Sequence, residues 1–216
     1  MFDPHESSSA ILDVKVMLSV PDAMASDVEE RRVLLHDVPW STYVVLADSL
    51  DSRSVRLTYL EGLLEIMTTS TRHEVSKAQI GRLVELFCLE RDIPLFSYGH
   101  ATYREELKKR GLEPDIWYTR GSRAFPPPDI ALEVVVSNPL LNKLDVYRGL
   151  GVREVWVYTL KRHEFVVQAL RDDHYEQITA SEVIPELDFA RILHHLEETD
   201  QHAALKAFRD ELRAKP

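Results

Sequence analysis

Apolar side chains recur at helical spacing in one long stretch. Ile80, Leu83, Val84 and Phe87 fall at i, i+3, i+4 and i+7, which predicts a helix over 72–91 with one buried stripe. Thr71-x-x-Glu74 has the capping-box signature that opens such a helix. Cys88 lies on the same stripe and reads as core. Before this helix, Val55–Leu60 and Leu63–Met67 are two short β-rich runs flanking Glu61-Gly62, which predicts a hairpin. Pro39 and Trp40 open a short helix over about 40–50.

Downstream, the pattern turns extended over Phe96–Tyr103, Asp115–Thr119 and Ile130–Ser137. Pro126-Pro127-Pro128 cannot be helical and leads into the last of these. Asn142–Leu150 reads as a short helix stopped by Gly149 and Gly151. Glu154–Thr159, Glu164–Leu170 and Tyr175–Ile178 read as strands, and a helical tail places Leu205, Phe208 and Leu212 on one face. A helix, three extended segments, a helix and a strand in that order predict an α/β (α+β) protein: a central mixed sheet flanked by helices.

Composition narrows this picture. With 216 residues, 44% of them hydrophobic and 29% charged, the chain can bury a sizeable core. The expected organisation is a flexible N-terminal extension over 1–30, one domain over 31–195 and a C-terminal helical tail over 196–216. No apolar run reaches the roughly 18–20 residues of a membrane span. Met1–Pro21 also lacks the basic start and apolar block of a secretory signal, so a cytoplasmic protein without a membrane partner is expected. Zinc-type Cys/His spacing and a phosphate-binding Gly-rich loop are both missing from the sequence.

The net charge of −10 counts against non-specific nucleic-acid binding, which needs Lys and Arg at the phosphates. Basic residues do cluster locally at Arg104, Lys108, Lys109 and Arg110, and again at Arg120 and Arg123. Those clusters read either as a solvated face or as a local phosphate contact.

Candidate chemistry centres on two acids. Glu133 sits inside the near-continuous apolar run Ile130–Val136, which reads as a strand buried on both faces. A carboxylate there loses hydration at a cost of several kcal/mol unless it is paired or bound to a metal. Asp115 follows Pro114 and opens the preceding apolar strand, about one hairpin earlier. Two carboxylates on adjacent strands can hold a hard divalent cation, which can activate water and steady charge on a phosphodiester. The alternatives are an edge strand whose Glu133 faces water and an ordinary buried salt bridge. Lys143 at the start of the following helix can stabilise developing charge or be a plain surface lysine. His73 in the first turn of the long helix can be a ligand, a proton shuttle or a polar first-turn residue. Glu65 on the hairpin strand is a further oxygen ligand or a sheet-face residue.

Six motifs in order carry a resemblance. They are Tyr59-Leu-Glu-Gly-Leu-Leu-Glu-Ile-Met67, His73-Glu74, Glu113-Pro-Asp115, Pro127-Pro-Asp-Ile-Ala-Leu-Glu-Val134, Lys143-x-x-x-Tyr147 and Gly151-Val-Arg-Glu-Val-Trp156. Together they span roughly residues 40–170, and the chain resembles the Uma-type restriction endonucleases of the PD-(D/E)XK nuclease superfamily. The resemblance implies a restriction-endonuclease-like core and a DNA endonuclease dependent on Mg²⁺ or Mn²⁺. By this likeness Asp115 and Glu133 are the metal-binding acids, His73 is the family's histidine at the start of the first helix, and Glu65 is an extra ligand.

The sequence departs from that pattern in two places. Val135 stands where the superfamily motif has its lysine, and Lys143 matches the place from which this family supplies one instead. Leu63 stands where many relatives carry an acid.

Three functions follow as expectations. The first is a metal-dependent DNA endonuclease, with a homodimer suited to cutting both strands. The second is a binding or regulatory module that keeps the fold and has lost efficient chemistry, favoured by the acidic balance, Val135 and Leu63. The third is an RNA-directed or small-molecule hydrolase on the same scaffold. An open cleft shared by Asp115 and Glu133, with Lys143 pointing in, would support the first; with Glu133 sealed in a salt bridge, it would fail.

Overall fold

The structure is a computed structural model that describes residues 30–50, 55–98, 102–121, 127–139, 141–196 and 199–214. The expected extension over 1–30 therefore lies outside the described residues except for Glu30, whose side chain is buried, and Pro126 and Arg123 lie outside them as well.

The described chain is mixed α+β and carries two sheets. The first comprises β1 (Arg32–Leu35), β2 (Val55–Leu60), β3 (Leu63–Thr68), β5 (Tyr103–Glu105) and β6 (Arg110–Leu112), in the order β1-β3-β2-β6-β5 and antiparallel throughout. The second comprises β4 (Leu95–Ser97), β7 (Ile116–Arg120), β8 (Ile130–Val135), β9 (Glu154–Thr159), β10 (Glu164–Arg171) and β11 (His174–Ile178). Its order is β11-β10-β9-β8-β7-β4, and only the β8–β9 pair is parallel.

The helices are α1 (Trp40–Ser49), α2 (Thr71–Glu90), α3 (Lys143–Leu150), α4 (Phe189–His194) and α5 (Gln201–Ala214). The order α2, β7–β8, α3, β9 reproduces the core expected from the sequence. The hairpin is also as expected: Leu60 pairs with Leu63, and Glu61 and Gly62 both have positive φ (48° and 99°), the type I′ geometry that matches strand twist.

Two boundaries differ from the sequence reading for identifiable reasons. The capping residue of α2 is Ser70, one position before Thr71; its side chain accepts from the His73 amide at 3.2 Å. The predicted extended segment over 96–103 divides between the sheets: Leu95–Ser97 pairs with β7 while Tyr103–Glu105 pairs with β6. Strands β1 and β6 are additions, only four and three residues long and without a polar–apolar alternation in residue type, although burial does alternate along β1. Gly111 inside β6 has a packing reason, since a Cβ there would lie 2.3 Å from the Tyr43 hydroxyl.

Three apolar clusters hold these layers together. Alternate residues of β8, Ile130, Leu132 and Val134, join Ile80, Leu83, Val84 and Phe87 of α2, with Phe208 and Leu212 of α5 behind them. Full burial of each such side chain contributes about 1.5–3 kcal/mol. Cys88 is part of this core, and the C-terminal segment thus packs into it through α5. The opposite face of β8, through Ala131, meets Val146, Tyr147 and Leu150 of α3. Leu112 of β6 belongs to the same cluster, so α3 lies between the two sheets. On the far side of the first sheet, Tyr43 of α1 packs with Leu57, Tyr59 and Leu64.

Candidate active site

Strand pairing sets the first relationship. The β7–β8 ladder ends at Ile116 opposite Leu132, so one step further the register brings Asp115 across from Glu133. Adjacent residues alternate faces in a strand, which puts Glu133 on the side of Ala131 and hence of α3. Lys143 and Tyr147 are four apart on α3 and share one face. Both reach Glu133: Lys143 Nζ donates to Oε2 at 2.6 Å, and the Tyr147 hydroxyl makes a short hydrogen bond to Oε1. The Asn142 side chain accepts from the Leu144 amide at 3.1 Å, which fixes the start of α3 and so the position of Lys143.

Asp115 is held from the other side. Its Oδ2 lies 2.9 Å from His73 Nε2 and accepts the Val134 amide at 2.8 Å. His73 occupies the first turn of α2, fixed by the Ser70 cap. Asp115 Oδ1 accepts no hydrogen bond from a described residue. The structure therefore joins four of the five predicted site residues, as two acid–base pairs on neighbouring strands.

Glu65 is engaged elsewhere. It accepts from Arg32 Nη1 at 2.8 Å and from the Leu141 amide at 3.2 Å. Among the described residues no group of three or more His, Cys, Asp or Glu side chains is gathered to hold a metal ion.

The electrostatics follow from burial and pairing. Burial would raise the Asp115 carboxyl, but His73 first, then Lys143 and the Val134 amide, reverse this and hold it well below the usual carboxylate range. Burial raises the Glu133 carboxyl and the Asp115 charge adds to the rise; Lys143 and Tyr147 only partly offset them. Burial disfavours charge on Lys143, yet Glu133 and Asp115 outweigh it and raise its pKa. In the same way burial lowers His73 and Asp115 more than restores it, so the ring titrates above its ordinary value.

The site is closely packed. Asp115 and Glu133 are 3% and 4% exposed, and the Lys143 side chain is 16% exposed, so Lys143 is the member that meets solvent. Lys143 does point in, as the nuclease expectation requires. Glu133 is nonetheless closed in an ion pair rather than lying in an open cleft, and the partner that closes it is that same lysine.

For a divalent cation, the donor set fits in kind. Asp115 Oδ1 has no hydrogen-bond donor among the described residues, and each Glu133 oxygen accepts one hydrogen bond where a carboxylate has room for about two. Two carboxylates suit a hard ion such as Mg²⁺, which commonly takes one or two and completes its shell with water and phosphate oxygens.

The basic clusters are largely occupied by neighbouring acids. Arg104 pairs with Asp48 at 2.9 Å, Arg110 with Glu61 at 2.8 Å, and Arg120 with Glu186 at 3.7 Å. These contacts accord with the solvated-face reading. Sequence reasoning also missed the contact of Tyr147 with Glu133 and the burial of Glu30, whose Oε2 is hydrogen-bonded to Ser137 and Arg32. The first was legible from its i+4 spacing to Lys143. Glu30 sits in a polar stretch with no pattern to mark it.

The six-stranded mixed sheet, with α2 and α3 packed against it, thus brings Asp115, Glu133 and Lys143 to one place. The chain belongs to the Uma2 family, described as "Putative restriction endonuclease", whose match covers residues 40–199. A solved structure is similar over 78% of this chain and 99% of its own length, at 13% identity and a TM-score of 0.47. It is described as a "putative nuclease belonging to DUF820" from Anabaena variabilis. No curated protein matches the chain. Among the described residues no helix is long and apolar enough to cross a membrane.

Proposed function

We propose that this protein is a divalent-metal-dependent DNA endonuclease that hydrolyses phosphodiester bonds and works as a homodimer. The observation that carries the reading is the convergence of Asp115 and Glu133 with Lys143, which stands in for the lysine absent at Val135. Membership of the Uma2 family supports the same class of activity.

Asp115 and Glu133 would hold Mg²⁺ or Mn²⁺, which when bound supplies Lewis-acid stabilisation of phosphoryl charge and an acidified water. The chain's own residues have separable tasks. His73 and the Val134 amide fix Asp115 Oδ2, so that Oδ1 keeps a set orientation. Tyr147 orients Glu133 through the other carboxylate oxygen. Lys143 places a positive charge at the boundary with solvent, where a phosphate would approach, and that charge would favour the more negative transition state.

The test is direct titration of Mn²⁺ by calorimetry, run beside Mg²⁺-dependent cleavage of plasmid DNA. Wild type should bind and cleave; folded Asp115→Ala and Glu133→Ala should do neither. Absence of binding at millimolar Mn²⁺ together with absence of cleavage would end this reading.

A second reading is a nuclease-fold binding protein without efficient chemistry. Its specific support is the closure of Glu133 by Lys143 and the net charge of −10. DNA retention in a gel shift without metal-dependent cleavage would favour it.

A further inference from the structure

Glu30 precedes β1 and lies outside residues 40–199, yet its side chain is fully buried. Its Oε2 is fixed by three donors: Ser137 Oγ at 2.6 Å, the Ser137 amide at 3.2 Å and Arg32 Nη2 at 3.2 Å. That leaves Oε1 with a set direction, and it faces His73 Nδ1 at 4.0 Å. Neither atom has a hydrogen-bond partner among the described residues, although both are buried. Glu74 Oε1 stands 3.8 Å from the same ring nitrogen. That oxygen is also buried without a hydrogen-bond partner among the described residues and lies 3.6 Å from Arg56 Nη2, while the other Glu74 oxygen pairs with Lys77, so the two carboxylates share this edge of the ring and Glu30 is the one anchored to β8 through Ser137.

A separation of 4.0 Å is too long for a hydrogen bond, but in a water-poor interior it is close enough for strong attraction between a carboxylate and an imidazole that carries charge. A ring gripped only at Nε2 by Asp115 is free to tilt. A fixed carboxylate oxygen against the opposite nitrogen limits how far the ring can tilt. Ser137 lies two residues beyond the end of β8, so Glu30 also ties the ring to the strand that carries Glu133.

We infer that Glu30 is a positioning residue that holds the His73 ring from the side opposite Asp115, making this residue ahead of β1 part of the active centre. Its effect on metal affinity rests on the nuclease reading above; its effect on the His73 ring does not.

The experiment is nitrogen-15 NMR of histidine-labelled full-length protein, with the His73 signals assigned by their loss in His73→Asn. Glu30→Gln, with melting temperature measured in parallel, should move the Nδ1 resonance of His73 while leaving the other histidines in place. Ser137→Ala removes one of the three donors on Glu30 Oε2 without touching its charge and should move the same resonance to a smaller degree; it replaces Glu30→Gln if that variant does not fold. Mn²⁺ should bind Glu30→Gln about three- to tenfold more weakly, the scale of one charge removed near a partly solvated site. A His73 spectrum unchanged in folded Glu30→Gln, or in Ser137→Ala where that is the variant used, would overturn the inference. Failure of wild type to bind Mn²⁺ would instead strike the nuclease reading, and the ring signals would still decide the role of Glu30.

Discussion

Lys143 and Glu133 come from different elements, ten residues apart in sequence, and meet as a partly buried ion pair at 2.6 Å. The strand supplies the acid and the next helix supplies the base. Val135, two residues beyond Glu133, shares its face of β8 and carries no charge.

This arrangement predicts that the lysine can be moved. Lys143→Met should reduce DNA cleavage by about 10²-fold or more, the usual consequence of losing a charge aimed at the reacting group. It should also destabilise the fold by about 3–5 kcal/mol, because Glu133 stays buried without its cation. Adding Val135→Lys should recover part of both losses, read by plasmid cleavage and by urea unfolding. A double variant no better than Lys143→Met would mean that the helix geometry, and not merely the charge, is required.

Gly111 admits no side chain while Tyr43 holds its place. Tyr43 is fully buried, with its ring 4.9 Å from that of Tyr59 in a stacked pair, so it cannot move aside freely. Gly111→Ala is expected to cost about 1–3 kcal/mol through overpacking. Combining it with Tyr43→Leu, which removes the hydroxyl and the two ring carbons that would also lie within 2.8 Å of the new Cβ, should make the added cost of Gly111→Ala smaller than in the Tyr43 background in thermal melts.

Cys88 should be inert in the folded protein. Burial pushes its thiol up to about 11, against roughly 8.5 for an exposed cysteine. The reactive thiolate is therefore scarce from pH 7 to pH 9 in the native state and appears only above that window. Labelling with Ellman's reagent should be slow in buffer and complete in denaturant. Rapid native-state labelling at pH 8 would contradict the packing of α2 in the main core.

Acid should loosen the join between α4 and α5. Glu211 accepts from His195 at 2.7 Å and from Arg191 at 2.9 Å. The His195 hydrogen bond, with help from Arg191, lowers its carboxyl despite some opposition from burial. A carboxyl lowered on folding contributes stability above its unfolded value, near 4.3, and loses it as pH falls through the folded value. Glu211→Gln should therefore reduce the melting temperature at pH 7 and have little effect near pH 3. An equal reduction at both pH values would show that the contact acts through packing instead.

Much of this site was legible because the responsible signals are local. The apolar run around Glu133 identified a strand buried on both faces, and Lys143 sat at a recognisable helix start. The hairpin at Glu61-Gly62 followed from two residues. By contrast, β1 and β6 are too short to show a period; they exist because neighbouring strands complete their hydrogen bonds. The cap at Ser70 was displaced by one position because Ser and Thr stand side by side and both can cap. Glu65 looked available as a ligand because sequence spacing cannot reveal that Arg32 and the Leu141 amide occupy it. Glu30 was invisible for the same reason: its burial depends on Ser137, more than a hundred residues away.

The placement of α3 has a bearing on modularity. This helix is shared property of both sheets, touching Ala131 on one side and Leu112 on the other. A fragment consisting of the six-stranded sheet alone would leave half of α3 facing water and would let the Lys143 end drift. Neither half can therefore be transplanted or shortened independently. Insertions that spread the sheets apart would be registered at the lysine first, even when made far from either acid.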